Sequence, residues 1–318
     1  MGFLNRNTGI LCFAQCMFVT GTVLLVTLGG IVGSELAPSA VLTTLPMSLM
    51  VVGTALATVP ASLLMQRFGR RLGFAGAALA GVLACGLGVL ALALASFLLF
   101  SVVAACIGMT IAFSQQFRFA AAESVSSADV GPAVSFILVG SIGGALLGPE
   151  LAWRSPTWTP ESPYAGAFTV GAACYLLAAL ALAAFRPAAQ PTAGLDASEP
   201  PRALLEIVRQ PAVIAAIVAG VVGQGVMTFV MTATPVSMHV VDGHSLEATA
   251  SVIRGHVLAM YVPSLFSGLL IARLGVRIVM SLGIAACAAT LLLGLQGHEY
   301  LHYWGALVLL GVGWNFLF

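Results

Sequence analysis

Long apolar segments recur along almost the whole chain and set its fold class. Nine stretches are each apolar over about 20 residues, the length that a helix needs to cross a bilayer core. A tenth begins near Gly305 and runs to Phe318. The nine ranges are 8–33, 41–66, 72–95, 97–117, 132–152, 164–185, 212–235, 251–272 and 278–296. A helix satisfies its backbone hydrogen bonds internally, so these segments predict an all-α polytopic membrane protein.

Charged residues are too scarce for a soluble protein of this size. They make up 7% of the chain, against roughly 25% in an average soluble domain. The net charge of +1 gives no electrostatic basis for binding nucleic acid. All twelve basic residues are arginine, and the chain is rich in Ala, Gly and Leu. This composition is typical of a GC-rich bacterial genome, so we expect the lipid bilayer of a bacterial inner membrane.

The arginines predict the orientation, because basic residues concentrate in cytoplasmic loops. With the N-terminus in the cytoplasm, ten of the twelve arginines lie on the cytoplasmic side. Arg154 then falls in an outer loop, and Arg254 lies near the outer end of the eighth segment. The cytoplasmic set is Arg6, Arg67, Arg70, Arg71, Arg118, Arg186, Arg202, Arg209, Arg273 and Arg277.

The chain divides into two predicted bundles. Residues 186–211 are polar and proline-rich, with charges of both signs, and this predicts a cytoplasmic linker. Residues 1–185 then form an N-terminal six-helix bundle, and residues 212–318 form a C-terminal bundle whose tenth helix is interrupted at Phe318. Both bundles carry an arginine-rich glycine turn, RFGRR at 67–71 and RLGVR at 273–277.

The two turns are 206 residues apart, which predicts two parallel repeats, a known transporter architecture. The first repeat ends near Phe185, so the same offset places the end of the second repeat near residue 391. We therefore expect about ten of twelve helices here and two further apolar segments of about 20 residues beyond Phe318.

Six plus six helices with a basic glycine turn after the second helix resemble the major facilitator superfamily. The family pattern at this turn is G-x-x-x-D-R-x-G-R-R, and residues 62–71 read SLLMQRFGRR. Arg67, Gly69, Arg70 and Arg71 match the pattern and by resemblance form a cytoplasmic gate. Gln66 replaces the usual Asp, which removes one charge partner from that gate.

Four stretches resemble a narrower bacterial subgroup that includes transporters of the riboflavin-uptake type. They are residues 115–124, 230–245, 256–276 and 309–318. Where the subgroup tends to have Gln-Trp-His, this chain has Arg254, Gly255 and His256, so a cation is added and an aromatic ring is lost. The resemblance implies a small-molecule substrate, and we expect a single chain to be the transport unit.

Polar residues inside the predicted spans are the candidates for the transport pathway, because each is costly in lipid. Each also has a plainer interpretation: packing or hydrogen bonding between helices, or, for Arg254, a side chain that extends to the membrane interface. The candidates are Gln15, Gln115, Gln116, Gln224, Arg254, His256, Trp314 and Asn315. Glu35, beyond the outer end of the first segment, is a candidate for proton coupling, with an exposed loop carboxylate as the alternative.

Other chemistries lack a motif. There is no nucleotide-binding loop, since the chain has no lysine to complete one, and no paired catalytic carboxylates or nucleophile motif. His239, Asp242 and His244 lack a fourth ligand for a metal. We expect neither metal nor cofactor, and no enzymatic activity. A secondary transporter working by alternating access is the leading interpretation, with a non-transporting membrane subunit or an intramembrane enzyme as the alternative.

Overall fold

The computed structural model describes residues 2–159, 162, 164–187 and 204–317, and all the regular secondary structure in these ranges is helical. Within them, eight helices are long and apolar enough to cross a membrane, or nine if one bent pair counts as a single span. The all-α fold predicted from the apolar segments is confirmed. Residues 188–203, most of the predicted linker, lie outside the described ranges.

The first half of the chain forms six spans. Its helices are α1 (Arg6–Leu36), α2 (Leu45–Phe68), α3 (Arg70–Ala93), α4 (Phe97–Ser114), α5 (Phe117–Glu123), α6 (Val130–Arg154) and α7 (Ala165–Ala183). The segment predicted at 97–117 is longer, because α5 continues α4 after a break at Gln115 and Gln116. Helix α1 packs against α6 and α7, α2 against α4, and α3 against α7.

The second half contains α8 (Leu204–Val208), α9 (Pro211–Pro235), α10 (Leu246–Tyr261), α11 (Ser264–Leu274), α12 (Val276–Gly294) and α13 (Tyr300–Leu317). A π-helix, Val236–Val241, extends α9 at its C-terminal end. The segment predicted at 251–272 is two helices, α10 and α11, bent by 45°. Pro263 lies at the bend, where its missing N–H interrupts the helical hydrogen bonds.

The first half has an aromatic core. Phe18 packs edge-on against both Phe117 and Tyr175, with ring centroids 5.4 and 5.1 Å apart. Phe74 meets the other side of Phe117 at 4.8 Å. The outer surface instead exposes leucine and valine, for example Leu56 and Leu83. An apolar exterior over a packed interior is the arrangement expected in lipid.

The glycine turns of the two halves have matching backbone geometry. Gly69 has φ 85° and ψ 153°, and Gly275 has φ 81° and ψ 154°. This region is accessible almost only to glycine. Each glycine ends one helix and begins the next. The two predicted repeats therefore share this turn in structure as well as in sequence.

A glycine seam joins α2 to α4. A Cβ atom on Gly53 would collide with the backbone of Ala105, and one on Gly108 would collide with the backbone of Met50. The Thr54 hydroxyl also donates a 2.8 Å hydrogen bond to the Gly108 carbonyl oxygen. Small residues on both helices bring the two backbones into direct contact.

Candidate transport pathway

A polar contact lies where α1 and α6 of the first half meet α10 of the second. The Gln15 amide in α1 donates a 2.9 Å hydrogen bond to the Ser141 hydroxyl in α6. Tyr261, at the end of α10 in the other half, interacts with the same serine. The Gln15 side-chain oxygen is buried and has no hydrogen-bond partner in the described part of the chain. Gln15 thus offers an unsatisfied acceptor next to a contact between the halves.

Trp314 and Gln224 are brought together from α13 and α9. The indole N–H of Trp314 donates to the Gln224 side-chain oxygen at 3.0 Å. Gln224 in turn lies 3.4 Å from the Thr228 hydroxyl, one turn further along α9. An aromatic ring and an amide are thereby fixed side by side, which suits a planar ligand with polar edges.

Asn315 stabilises the break between α10 and α11. Its amide nitrogen donates to the Met260 carbonyl oxygen at 2.7 Å and also to the Ser264 hydroxyl. The side-chain oxygen remains buried, with no partner among the described residues. Asn315 therefore supplies a donor where the bend interrupts the helical ladder.

His256 lies between α10 and α13 and is fully buried. Its Nδ1 is 2.8 Å from the Leu307 carbonyl oxygen. Because a carbonyl only accepts, Nδ1 carries the proton and Nε2 is left as an acceptor. Nε2 is buried and has no partner among the described residues. In this conformation His256 packs between helices, and its cavity-facing role remains a prediction.

Arg254 forms an ion pair that the sequence did not reveal. Its Nη2 donates to Oε2 of Glu150 in α6, 2.7 Å away. The other oxygen of Glu150 is 2.6 Å from Nη2 of Arg154, four residues along the same helix. The neighbouring Gly255 packs on Trp304, whose indole nitrogen would be 2.9 Å from a Cβ at that position. An indole ring is thus supplied by α13 next to the glycine that replaces the usual tryptophan.

The remaining candidates lie nearer the membrane surfaces. Gln115 and Gln116 occupy the α4–α5 break, with Gln115 exposed. Glu35, also exposed, accepts a 2.9 Å hydrogen bond from the Tyr164 hydroxyl. Burial and the Glu35 carboxylate raise the pKa of that hydroxyl. No hydrogen bond or ion pair among the described residues joins Glu35 or the glutamine pair to Gln15.

The arginines of the predicted cytoplasmic gate make separate contacts, and the gate stays a prediction. Arg70 binds Glu123 at the end of α5 through two hydrogen bonds, with Nε 2.6 Å from Oε2. The guanidinium of Arg67 lies 5.4 Å from the centroid of the Phe68 ring, while Arg71 is exposed. Both Arg70 and Glu123 belong to the first half, so this ion pair does not link the halves.

A family model for the major facilitator superfamily matches residues 11–318. The chain belongs to this superfamily. It is 38% identical to the riboflavin transporter RfnT of Brucella anthropi over 99% of this chain and 79% of the relative. It is 31% identical to YddS of Bacillus subtilis, an uncharacterized transporter of the same superfamily type, over 98% of this chain and 75% of the relative.

Solved structures share the fold of this superfamily member. A D-xylose–proton symporter aligns with a TM-score of 0.68 and 14% identity, over 98% of this chain and 80% of the symporter. The fucose–proton symporter FucP of E. coli aligns with a TM-score of 0.66 and 16% identity, over 99% and 82% of the two chains. The family predicted from the glycine turn is confirmed, and the chain is a multi-pass membrane protein.

Proposed function

We propose that the protein is a secondary transporter that moves a small planar molecule of the riboflavin class by alternating access. An ion or substrate gradient supplies the energy, and the substrate is not chemically converted. A single chain is the transport unit, and it lies in the bacterial inner membrane with its N-terminus in the cytoplasm. The observation that carries the proposal is the 38% identity to a riboflavin transporter over 99% of the chain.

The interior supports a neutral, planar substrate. Trp314 and Gln224 place an indole ring beside an amide, and Gln15 has a side-chain oxygen without a partner among the described residues. The unpartnered oxygen of Gln15 accepts but does not donate, so it suits a ligand that brings N–H or O–H groups. An aromatic face with a few fixed polar groups is the usual construction of a site for a flat heterocycle.

Uptake into proteoliposomes tests this function directly. Purified protein is reconstituted, and labelled riboflavin is supplied with and without an inward proton gradient. We expect saturable uptake of riboflavin and no uptake of fucose or xylose. Gln224→Leu removes a side chain next to Trp314, so it weakens apparent affinity, whereas Gln296→Leu in an exposed outer loop serves as the matched control.

Two outcomes would count against the proposal. If riboflavin enters no faster than into protein-free liposomes under any gradient, the substrate assignment is wrong. If Gln224→Leu and Gln296→Leu behave alike, the site around Trp314 is not the substrate site. Binding measured by quenching of flavin fluorescence separates a loss of affinity from a loss of turnover.

A further inference from the structure

We propose that Glu150 and Arg254 form the outer gate of the transport pathway, and that Arg154 holds Glu150 when this gate opens. The inference rests on the proposed function, because a gate is needed only if the pathway opens alternately to the two sides. It assigns a role to Glu150, which lies one turn before the outer end of α6.

The ion pair connects the two halves of the chain. Glu150 lies in α6 of the first half and Arg254 in α10 of the second, with 2.7 Å between Oε2 and Nη2. Helix α6 is fixed to its own half on another face, because Gly144 and Gly148 pack directly on α1. Any separation of the halves at the outer side must therefore break the bond between Glu150 and Arg254.

An apolar plug lies beside this ion pair. It is a cluster of buried side chains contributed by both halves, so it closes the space between them. Its members are Val19, Val23 and Ala145 from the first half and Met231, Met238, Val252, Ile253, Val257 and Leu307 from the second. Ala145 precedes Glu150 by five residues, which is about 7.5 Å along a helix. Ala145 therefore lies deeper than the ion pair, whereas Val252 and Ile253 adjoin Arg254, so a solute entering from outside meets the ion pair and the plug together.

The contact between Glu150 and Arg254 has the geometry of a weak ion pair. Arg254 uses one nitrogen, and its Nε is buried with no acceptor among the described residues. By contrast, Arg70 uses both Nε and Nη2 on Glu123. The side chains of Glu150 and Arg254 are 30% and 31% exposed, so water is available to both after separation. A part-exposed, single-bonded pair is weaker than a two-pronged one.

Because of Arg154, only one of the two gate residues loses its charge partner when the gate opens. It contacts the second oxygen of Glu150, at 2.6 Å, and moves with it because both residues lie on α6. When the halves separate, Glu150 keeps one guanidinium partner and stays ionised. Arg254 alone loses its partner. Arg154 thus stabilises the open state, whereas Arg254 stabilises the closed state.

Cysteine accessibility tests the gate without any knowledge of the substrate. The six native cysteines are replaced, and Val23→Cys is introduced in the plug, where Val23 is 7% exposed. A membrane-impermeant methanethiosulfonate reagent is added from outside. We expect Arg254→Gln and Glu150→Gln to speed labelling about two- to fivefold, the shift from losing a part-exposed pair. Arg154→Gln should slow it, and Arg209→Gln, at an exposed position between α8 and α9, should leave it unchanged.

The gate predicts opposite changes in the labelling rate for Arg254→Gln and Arg154→Gln. Unchanged labelling in Arg254→Gln, or faster labelling in Arg154→Gln, overturns the gate. Ile253→Cys, on the other side of the plug, repeats the measurement if Val23→Cys does not fold. If the labelling rates follow the expected order while riboflavin is not transported, the gate stands and the substrate assignment alone fails.

Discussion

The indole N–H of Trp314 donates a 3.0 Å hydrogen bond to the side-chain oxygen of Gln224, joining α13 to α9. Breaking a hydrogen bond of this kind costs about 1 kcal/mol. Gln224→Leu should therefore lower the thermal midpoint measured in detergent, and Trp314→Phe should do the same.

A double-mutant cycle isolates this bond from other effects of the two substitutions. The variant carrying both changes should lose about 1 kcal/mol less than the sum of the single losses, because the shared bond is counted once. Gln296→Leu, at an exposed position, provides the matched control. Fully additive losses would show that the two side chains act independently.

Gly69 and Gly275 should each resist substitution for reasons of backbone geometry alone. No atom lies within 4 Å of a Cβ built at either position, so no contact is crowded. The positive φ angles nevertheless make Gly69→Ala and Gly275→Ala cost about 1–3 kcal/mol each. Uptake by the Gly69 variant should slow, with substrate affinity retained.

Gly76 supplies the control for the two turns. It lies within α3 and also has open space around it. Gly76→Ala should be neutral or stabilising by up to about 1 kcal/mol, since Ala is the better helix former. If Gly69→Ala were as well tolerated as Gly76→Ala in a thermal melt, the turn would not be under backbone constraint.

Asp242 should make the free energy of unfolding depend on pH in the acid range. Its carboxyl accepts hydrogen bonds from the Tyr303 hydroxyl at 2.5 Å and from His298 at 3.0 Å, and these lower its pKa. A lowered folded-state pKa gives stability that is present above the unfolded value, about 3.9. That stability is lost as the pH falls through the folded value.

Thermal melts as a function of pH check this. Asp242→Asn should be less stable than the wild type at pH 7, and the difference should shrink as the pH falls below about 4. Glu299→Gln, which changes a carboxylate in the loop between α12 and α13, serves as the control. A difference that persists unchanged to pH 3 would assign the effect of Asp242→Asn to something other than ionisation.

Two exposed serines should report the orientation in the membrane. Ser39 follows α1 and precedes the 3₁₀ helix Ala40–Leu42, and Ser127 follows α5 and begins the 3₁₀ helix Ser127–Asp129. With the N-terminus inside, an impermeant thiol reagent should label Ser39→Cys in intact cells and Ser127→Cys only after lysis. The reverse pattern would invert the arrangement derived from the arginines.

Sequence alone predicted the helices well, because every helix that crosses the lipid core needs a long run of apolar residues. Apolar length located nine segments, and the glycine turn pointed to the superfamily. The breaks within spans were harder to predict from the sequence. Pro60 lies within the unbroken helix α2, whereas Pro263 lies at the bend between α10 and α11. Nothing local distinguishes the two prolines; at the bend, Asn315 supplies a hydrogen bond from a different helix.

The sequence names candidate site residues one at a time, and it does not indicate which of them contact each other. Gln224 and Trp314 are 90 residues apart, and Arg254 and Glu150 are 104 residues apart. A periodic pattern gives the depth of a residue in its helix, and it does not give the neighbour across a helix interface. Glu150 itself carried a readable signal, a carboxylate inside a span one turn before an arginine.

The glycine seam between α2 and α4 bears on how force passes through the first half. At Gly53 and Gly108 the two backbones touch directly, with no side chains between them that could change rotamer. A contact of this kind is rigid, so a displacement of one helix is transmitted directly to the other. The seam therefore couples α2 and α4 into one stiff unit, and the proposed alternating-access mechanism would use such a unit to move the first half as one body.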